Sequence, residues 1–179
     1  MARAIPIHKL ARPDAPLRAS APVVLVRLEE LLDYADALRD PGRVEELHAM
    51  RIAAKRLRYT LEIFHPTLAP DAGVLLAQVE EIQERLGKIH DHDVLVPQLE
   101  RTLEREMERE KKRMLKGAPE APFLAAEGLV PLIGRLRAER EQMHAAFVAF
   151  WDGLPPDTFS DRLTRLVSGD DTILGVAPS

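Results

Sequence analysis

Apolar residues recur at helical spacing through most of the chain, and nowhere do they alternate as a half-buried strand requires. Leu25, Leu28, Leu32 and Ala35, with Leu31 and Leu38 alongside, predict a first helix opening at Pro22, a residue suited to the first helical position. Asp40-Pro41-Gly42 ends it and starts a second helix over about Arg43 to Phe64, which Pro66 stops. A third pattern follows Pro70 and Asp71 through Leu75, Leu76, Val79, Ile82 and Leu86, with Gly87 placed as its left-handed C-terminal residue. Asp91 or Asp93 then caps the next helix, and Pro97 either lies in its first turn or kinks it. That helix is densely charged from Gln98 to Lys116, and a turn follows over Gly117 to Pro122. A last long helix carries Leu129, Leu132, Ile133, Leu136, Met143, Phe147 and Phe150, with Trp151 at its end and Pro155-Pro156 as its stop. Asp157 to Val167 reads as one short helix, and Ser168 to Ser179 as a frayed end. The whole predicts an all-α fold, a bundle of four or five antiparallel helices with short connections. Three segments result: a basic, proline-containing arm over 1–21, the bundle over 22–155, and a short helix with a tail over 156–179. The arm reads either as a disordered terminus or as a strap that folds over a bound anion.

The second helix stands out by charge. From Leu47 to Leu61 it bears Arg51, Lys55, Arg56 and Arg58 and no acid. At 100° per residue, Met50, Ala53, Ala54, Leu57, Leu61 and Phe64 share one side. His48, Arg51, Lys55 and Arg58 share another, with Tyr59 and Glu62 beside them, while Arg56 points elsewhere. Like charges at i,i+3 and i,i+4 cost a helix about 0.2–0.5 kcal/mol per pair. A solvated face gains nothing for that cost, whereas a face that meets an anion does. Between 98 and 116 the pattern is the opposite: Arg101, Arg105, Arg109 and Arg113 recur every four residues among Glu100, Glu104, Glu106, Glu108 and Glu110. That surface neutralises itself.

The run His-x-x-Arg-x-x-x-Lys-Arg-Leu-Arg, His48 to Arg58, resembles a motif of the CHAD domain, a helical domain named for its histidines. Leu86-Gly-Lys-Ile-His-Asp-His-Asp-Val94 resembles a second CHAD motif, with His90 standing where the family usually has Arg or Asn. The resemblance covers about residues 22 to 155, and one copy of each motif is found, so the chain looks like a CHAD-like half. The family is associated with inorganic polyphosphate, which implies a non-catalytic binding function. His48, Arg51, Lys55 and Arg58 would meet the polyanion, and Lys88 and His92 would close the site from a loop. Arg56, Tyr59, His90 and Asp91 would support it, Asp91 by orienting Arg or His side chains. For His48, packing against a neighbouring helix stands beside the anion role, and Tyr59 reads equally as a boundary residue that packs. Polyphosphate-granule or polyphosphate-metabolising proteins are implied partners. Because CHAD proteins often pair two such bundles around a basic channel, a single half is expected to work as a homodimer, its two-fold axis beside the motif helix, with Ile52 and Ile63 available to bury.

Composition narrows the alternatives. The formal net charge of −4 makes any polyanion site a local patch and argues against a general nucleic-acid binder. Without cysteine there is no disulfide framework and no thiolate metal site. No apolar run approaches membrane-spanning length, and the N-terminus lacks a signal-peptide stretch, so a cytoplasmic protein without membrane attachment is expected. No cofactor is implied. The order His48, His90-Asp91, Asp152 superficially fits the all-α HD phosphohydrolases, in which histidines and carboxylates hold a divalent metal that activates water. The row of cations beside His48 is a poor surround for such an ion, so no metal site is expected. A helical interaction module for an acidic protein partner is the third reading.

Overall fold

The computed structural model describes residues 16–65, 72–117, 124–154 and 161, and the described secondary structure is entirely helical, an all-α bundle. Helix α1 spans Pro16–Leu32, a short 3-10 helix Ala35–Arg39, α2 Val44–Phe64, α3 Ala72–Leu115 and α4 Leu124–Gly153. Most of the arm, the expected helix over 157–167 apart from Asp161, the tail and the stops at Pro66 and Pro155-Pro156 lie outside the described residues.

Two compact units result: Met1–Gly87 with Phe147–Ser179, and Lys88–Ala146. In the first, α1 packs on α2. Val23, Val24, Leu28 and Leu31 meet the buried face of α2, which is Leu47, Ala49, Met50, Ala53, Ala54, Leu57 and Leu61. The α2 face is the one its spacing predicts. Acids in its first turn, Glu45 and Glu46, suit the positive end of the helix dipole. Upstream, Asp40 Oδ1 accepts from the Gly42 N–H at 2.8 Å and fixes the entry turn. Leu75, Val79, Ile82 and Leu86 of α3 are buried in the same unit, as are Phe147 and Trp151 at the far end of α4.

Three expectations are corrected. Helix α1 starts at Pro16 rather than Pro22, and Pro22 lies inside it. Pro16 is equally suited to a first turn, and burial of Val23 and Val24 directly after Pro22 offsets its lost hydrogen bond. The chain leaves α-helical geometry after Leu32, and the 3-10 helix is what buries Leu38. Lastly, Gly87 ends nothing: α3 runs unbroken for 44 residues, about 66 Å at helical rise, through Gly87 and Pro97. Asp91 and Asp93 therefore cap no helix, and the segment around them is helix interior rather than a loop. An interior Gly costs about 1 kcal/mol and an interior Pro about 3, and burial of Leu86 and Ile89 beside Gly87 and of Val96 before Pro97 offsets them. Among the described residues Gly117 has the positive φ that a chain reversal requires.

Two contacts fasten α4 within the first unit. Arg39 donates two hydrogen bonds to Asp152, Nη1 to Oδ2 at 2.8 Å and Nη2 to Oδ1 at 2.6 Å. The Arg85 guanidinium lies 4.5 Å from the Phe150 ring centroid. The Arg39 hydrogen bond holds the Asp152 carboxyl below its ordinary range, and the same bond raises Arg39. A depressed carboxyl pKa adds stability that is complete above the unfolded value and is lost as pH falls through the folded one. Both groups are exposed, so that addition is small. In a carbon-detected titration Asp152 is expected to protonate below about 3.9, the unperturbed value. A midpoint at or above it would mean the pair does not persist in solution.

Candidate functional site

Three turns of α2 build the site. His48, Arg51, Lys55 and Arg58 are each half-buried and lie beside the buried arc that fixes the helix on α1. From Arg51 to Arg58 the row climbs about 10.5 Å. Tyr59 is exposed and carries two of the cations: Lys55 Nζ is 5.6 Å and the Arg58 guanidinium carbon 4.8 Å from its ring centroid. Such contacts localise a cation without neutralising it.

Partners separate these cations sharply. Arg58 has Glu62 one turn on, Nε to Oε1 at 3.4 Å. Arg56 is turned toward α1, where Glu30 is buried. Arg27 Nη1 lies 2.5 Å and Arg56 Nη1 3.9 Å from that carboxylate, so Arg56 serves the α1–α2 packing. Arg51 and Lys55 have no carboxylate within 4.0 Å among the described residues, and Arg51 Nε has neither solvent nor a hydrogen-bond acceptor. Every other half-buried Arg or Lys among the described residues has one: Arg27, Arg56, Arg58, Arg85 and Arg140. Leaving a shielded donor unmet costs about 1–3 kcal/mol.

Gly87 explains why the second motif belongs with the first. A Cβ placed there would sit 3.6 Å from Arg51 Nε, so the Arg51 side chain lies against the α3 backbone. Alanine at 87 makes only ordinary van der Waals contact, whereas a longer side chain occupies the volume of the guanidinium stem. Gly87→Ala is therefore expected to stabilise the protein, by up to about 1 kcal/mol from helix propensity, and to keep the row intact. Gly87→Leu is expected to displace Arg51. Thermal melts with an anion titration check the pair, and equal binding losses in both variants would contradict this packing.

The remaining expected residues lie in the second unit. Lys88 and Asp91 are exposed on α3, and His90 is half-buried with its Nδ1 closed off from solvent. Since 86–94 is helical, Lys88 and His92 do not reach out from a loop. His92 Nδ1 is 2.9 Å from the Lys88 carbonyl oxygen, and its Nε2 is 3.5 Å from Glu139 Oε2 on α4. Arg140 Nε donates to Asp93 Oδ1 at 2.8 Å, with Nη2 3.5 Å from Oδ2, and Arg137 donates to Glu100. The sequence reading did not single out Glu30, Arg27, Glu139 or Arg140. Nothing in the spacing of Glu30 sets it apart from exposed Glu29. Of the residues in the HD-like order, Asp152 is engaged on both oxygens by Arg39. Among the described residues no three His, Asp or Glu side chains converge as a metal would need.

A model of the CHAD domain family matches residues 3–100. The match takes in the segment read as an arm and stops within α3, short of α4. No curated protein and no solved structure matches the chain. With the matched stretch covering more than half of the sequence and containing both motifs, the Arg51 row of α2 and the Gly87 against which it lies, this chain belongs to the CHAD domain family.

Proposed function

We propose that the chain binds inorganic polyphosphate along the α2 row and performs no chemistry on it. The observation that carries this reading is the pair Arg51 and Lys55, half-buried cations that, among the described residues, lack the acidic partner every comparable cation has. A shielded positive charge without a counter-charge is costly in the free protein, and an anion removes that cost on binding. Arginine donates two bonds to one phosphate, and lysine adds a point charge one turn on. The family's association with polyphosphate- and triphosphate-related proteins supports a phosphate chain as the anion. His48 lies at the start of the row, and Tyr59 holds Lys55 and Arg58 near its ring. Of these two, Lys55 faces a ligand without a competing acid among the described residues, whereas Arg58 shares its charge with Glu62, and no helix of the described chain is long and apolar enough to cross a membrane.

Titration calorimetry tests the reading with long-chain polyphosphate, tripolyphosphate and an acidic peptide of equal charge, at low and high salt. Tight binding of the long chain that weakens steeply with salt is expected, as counterion release requires. Preference for the peptide would transfer the site to an acidic protein partner. Phosphate release from the long chain, lost on Asp91→Ala, would transfer it to a hydrolase.

A further inference from the structure

The second unit carries a surface that the α2 row does not use. Beyond Thr102, α3 follows a 4-3-4 spacing, Leu103, Met107, Glu110 and Met114, the pattern of a coiled-coil seam. Leu103 and Glu110 are half-buried, whereas Met107 and Met114 are 55% and 50% exposed. Met107, Glu110, Lys111, Met114 and Leu115 line an open apolar hollow of about 540 Å³. The seam is flanked on one side by Glu104 and Lys111, and on the other by Glu106 and Arg113. Each flank thus has one acid and one base, seven residues apart.

We infer that this part of α3 is a contact between two copies of the chain, paired antiparallel. In such a pair each flank meets the same flank of its partner in reversed order. Position 104 then faces position 111 of the second copy, and 106 faces 113, so four acid–base pairs form and no like charges meet. The seam would set Met107 beside the second copy's residue 110 and Leu103 beside its residue 114. A parallel pair would match only 106 with 111, which favours the antiparallel arrangement. The Glu104–Lys111 flank is prepared for this, while Glu106 and Arg113 of the other flank would exchange partners within their own helix for the second copy. Glu104 and Lys111 have no ion pair among the described residues, although Arg109, Lys112 and Arg113 on the same stretch pair with Glu106, Glu108 and Glu110. Glu110, the polar member of the seam, penalises slipped registers as buried polar seam residues do. On the exposed face of α2 the row carries Arg51, Lys55 and Arg58, and two such rows repel in the absence of a bridging anion.

The contact is short, so the association is weak and is read at high concentration. Sedimentation equilibrium of the full chain from about 0.01 to 1 mM is expected to show a reversible dimer. Lys111→Glu is expected to weaken it by about tenfold or more, since two attractive pairs become repulsive. The double variant Glu104→Lys, Lys111→Glu restores attraction and is expected to recover the dimer. Because the chain has no cysteine, engineered thiols report orientation cleanly. A mixture of Met107→Cys and Glu110→Cys chains is expected to give the mixed disulfide in preference to either symmetric one. A monomer throughout, a double variant no better than the single, or preferential Met107→Cys self-linkage would each overturn the inference. None of these outcomes bears on polyphosphate binding.

Discussion

Arg51→Ala is expected to weaken polyphosphate binding by about 10- to 100-fold, since a hydrogen bond to a charged group contributes about 1.5–3 kcal/mol. Lys55→Ala should lose somewhat less, having a point charge rather than a fork. The salt dependence should become shallower by roughly one counterion in each. Arg105→Ala is the control. Arg105 is exposed and hydrogen-bonded to the Arg101 carbonyl and the Thr102 hydroxyl of its own helix, so its loss should leave affinity unchanged. Stability separates the binding role from a structural one. Arg51 has a shielded donor without an acceptor and a like charge one turn away at Lys55. Its removal should leave the melting temperature unchanged or raise it. Arg56→Ala should do the reverse, lowering stability by depriving buried Glu30 of a cation and sparing affinity. Calorimetry and thermal melts on the four variants decide the matter. Equal affinity losses for Arg51→Ala and Arg105→Ala would remove the site from α2.

Phe147→Ala is expected to cost about 3–5 kcal/mol, the range for emptying a buried aromatic position. Phe147 is fully buried in the first unit, with the Trp151 ring centroid 6.3 Å from its own. Against a typical total of about 5–15 kcal/mol, that loss brings the unit near its unfolding limit. Phe150→Ala should cost clearly less, because Phe150 is only half-buried and its main partner is the Arg85 guanidinium. Trp151 is the only tryptophan in the chain and is buried beside Phe147, so urea unfolding followed by its fluorescence reports on this unit. A cost below about 1 kcal/mol for Phe147→Ala would mean that α4 is not part of the core here.

What the sequence made legible was whatever is written within one helix. The apolar arc and the cationic row of α2 both depend on residues a few positions apart, and the burial of Leu47, Met50, Ala53, Leu57 and Leu61 follows the spacing. The charged stretch after Gln98 neutralises itself locally, as Arg109–Glu106 and Arg113–Glu110 show. Punctuation was misleading where burial opposed it. Gly87 and Pro97 carry the marks of a helix end, yet α3 continues through both, with buried apolar residues beside each. Pairings between distant segments were not legible at all. No spacing rule connects Gly87 with Arg51, Glu30 with Arg56, or Arg39 with Asp152, because each depends on how separate helices pack.

The closure of the first unit by the end of α4 also sets a timetable. Arg39 and Asp152 are 113 positions apart, and Phe147 and Trp151 arrive only with the same late segment. At about 5–20 residues per second, a ribosome that has made Arg39 needs roughly 6–23 s to deliver its partner. Through that interval the apolar faces of α1, α2 and early α3 exist without their last layer, while the acid-free stretch of α2 is already present. A nascent chain in this state has exposed hydrophobic surface and a cationic helix in the vicinity of ribosomal RNA. Emergence of the end of α4, rather than of the family's matched segment, is thus the event that completes the first unit.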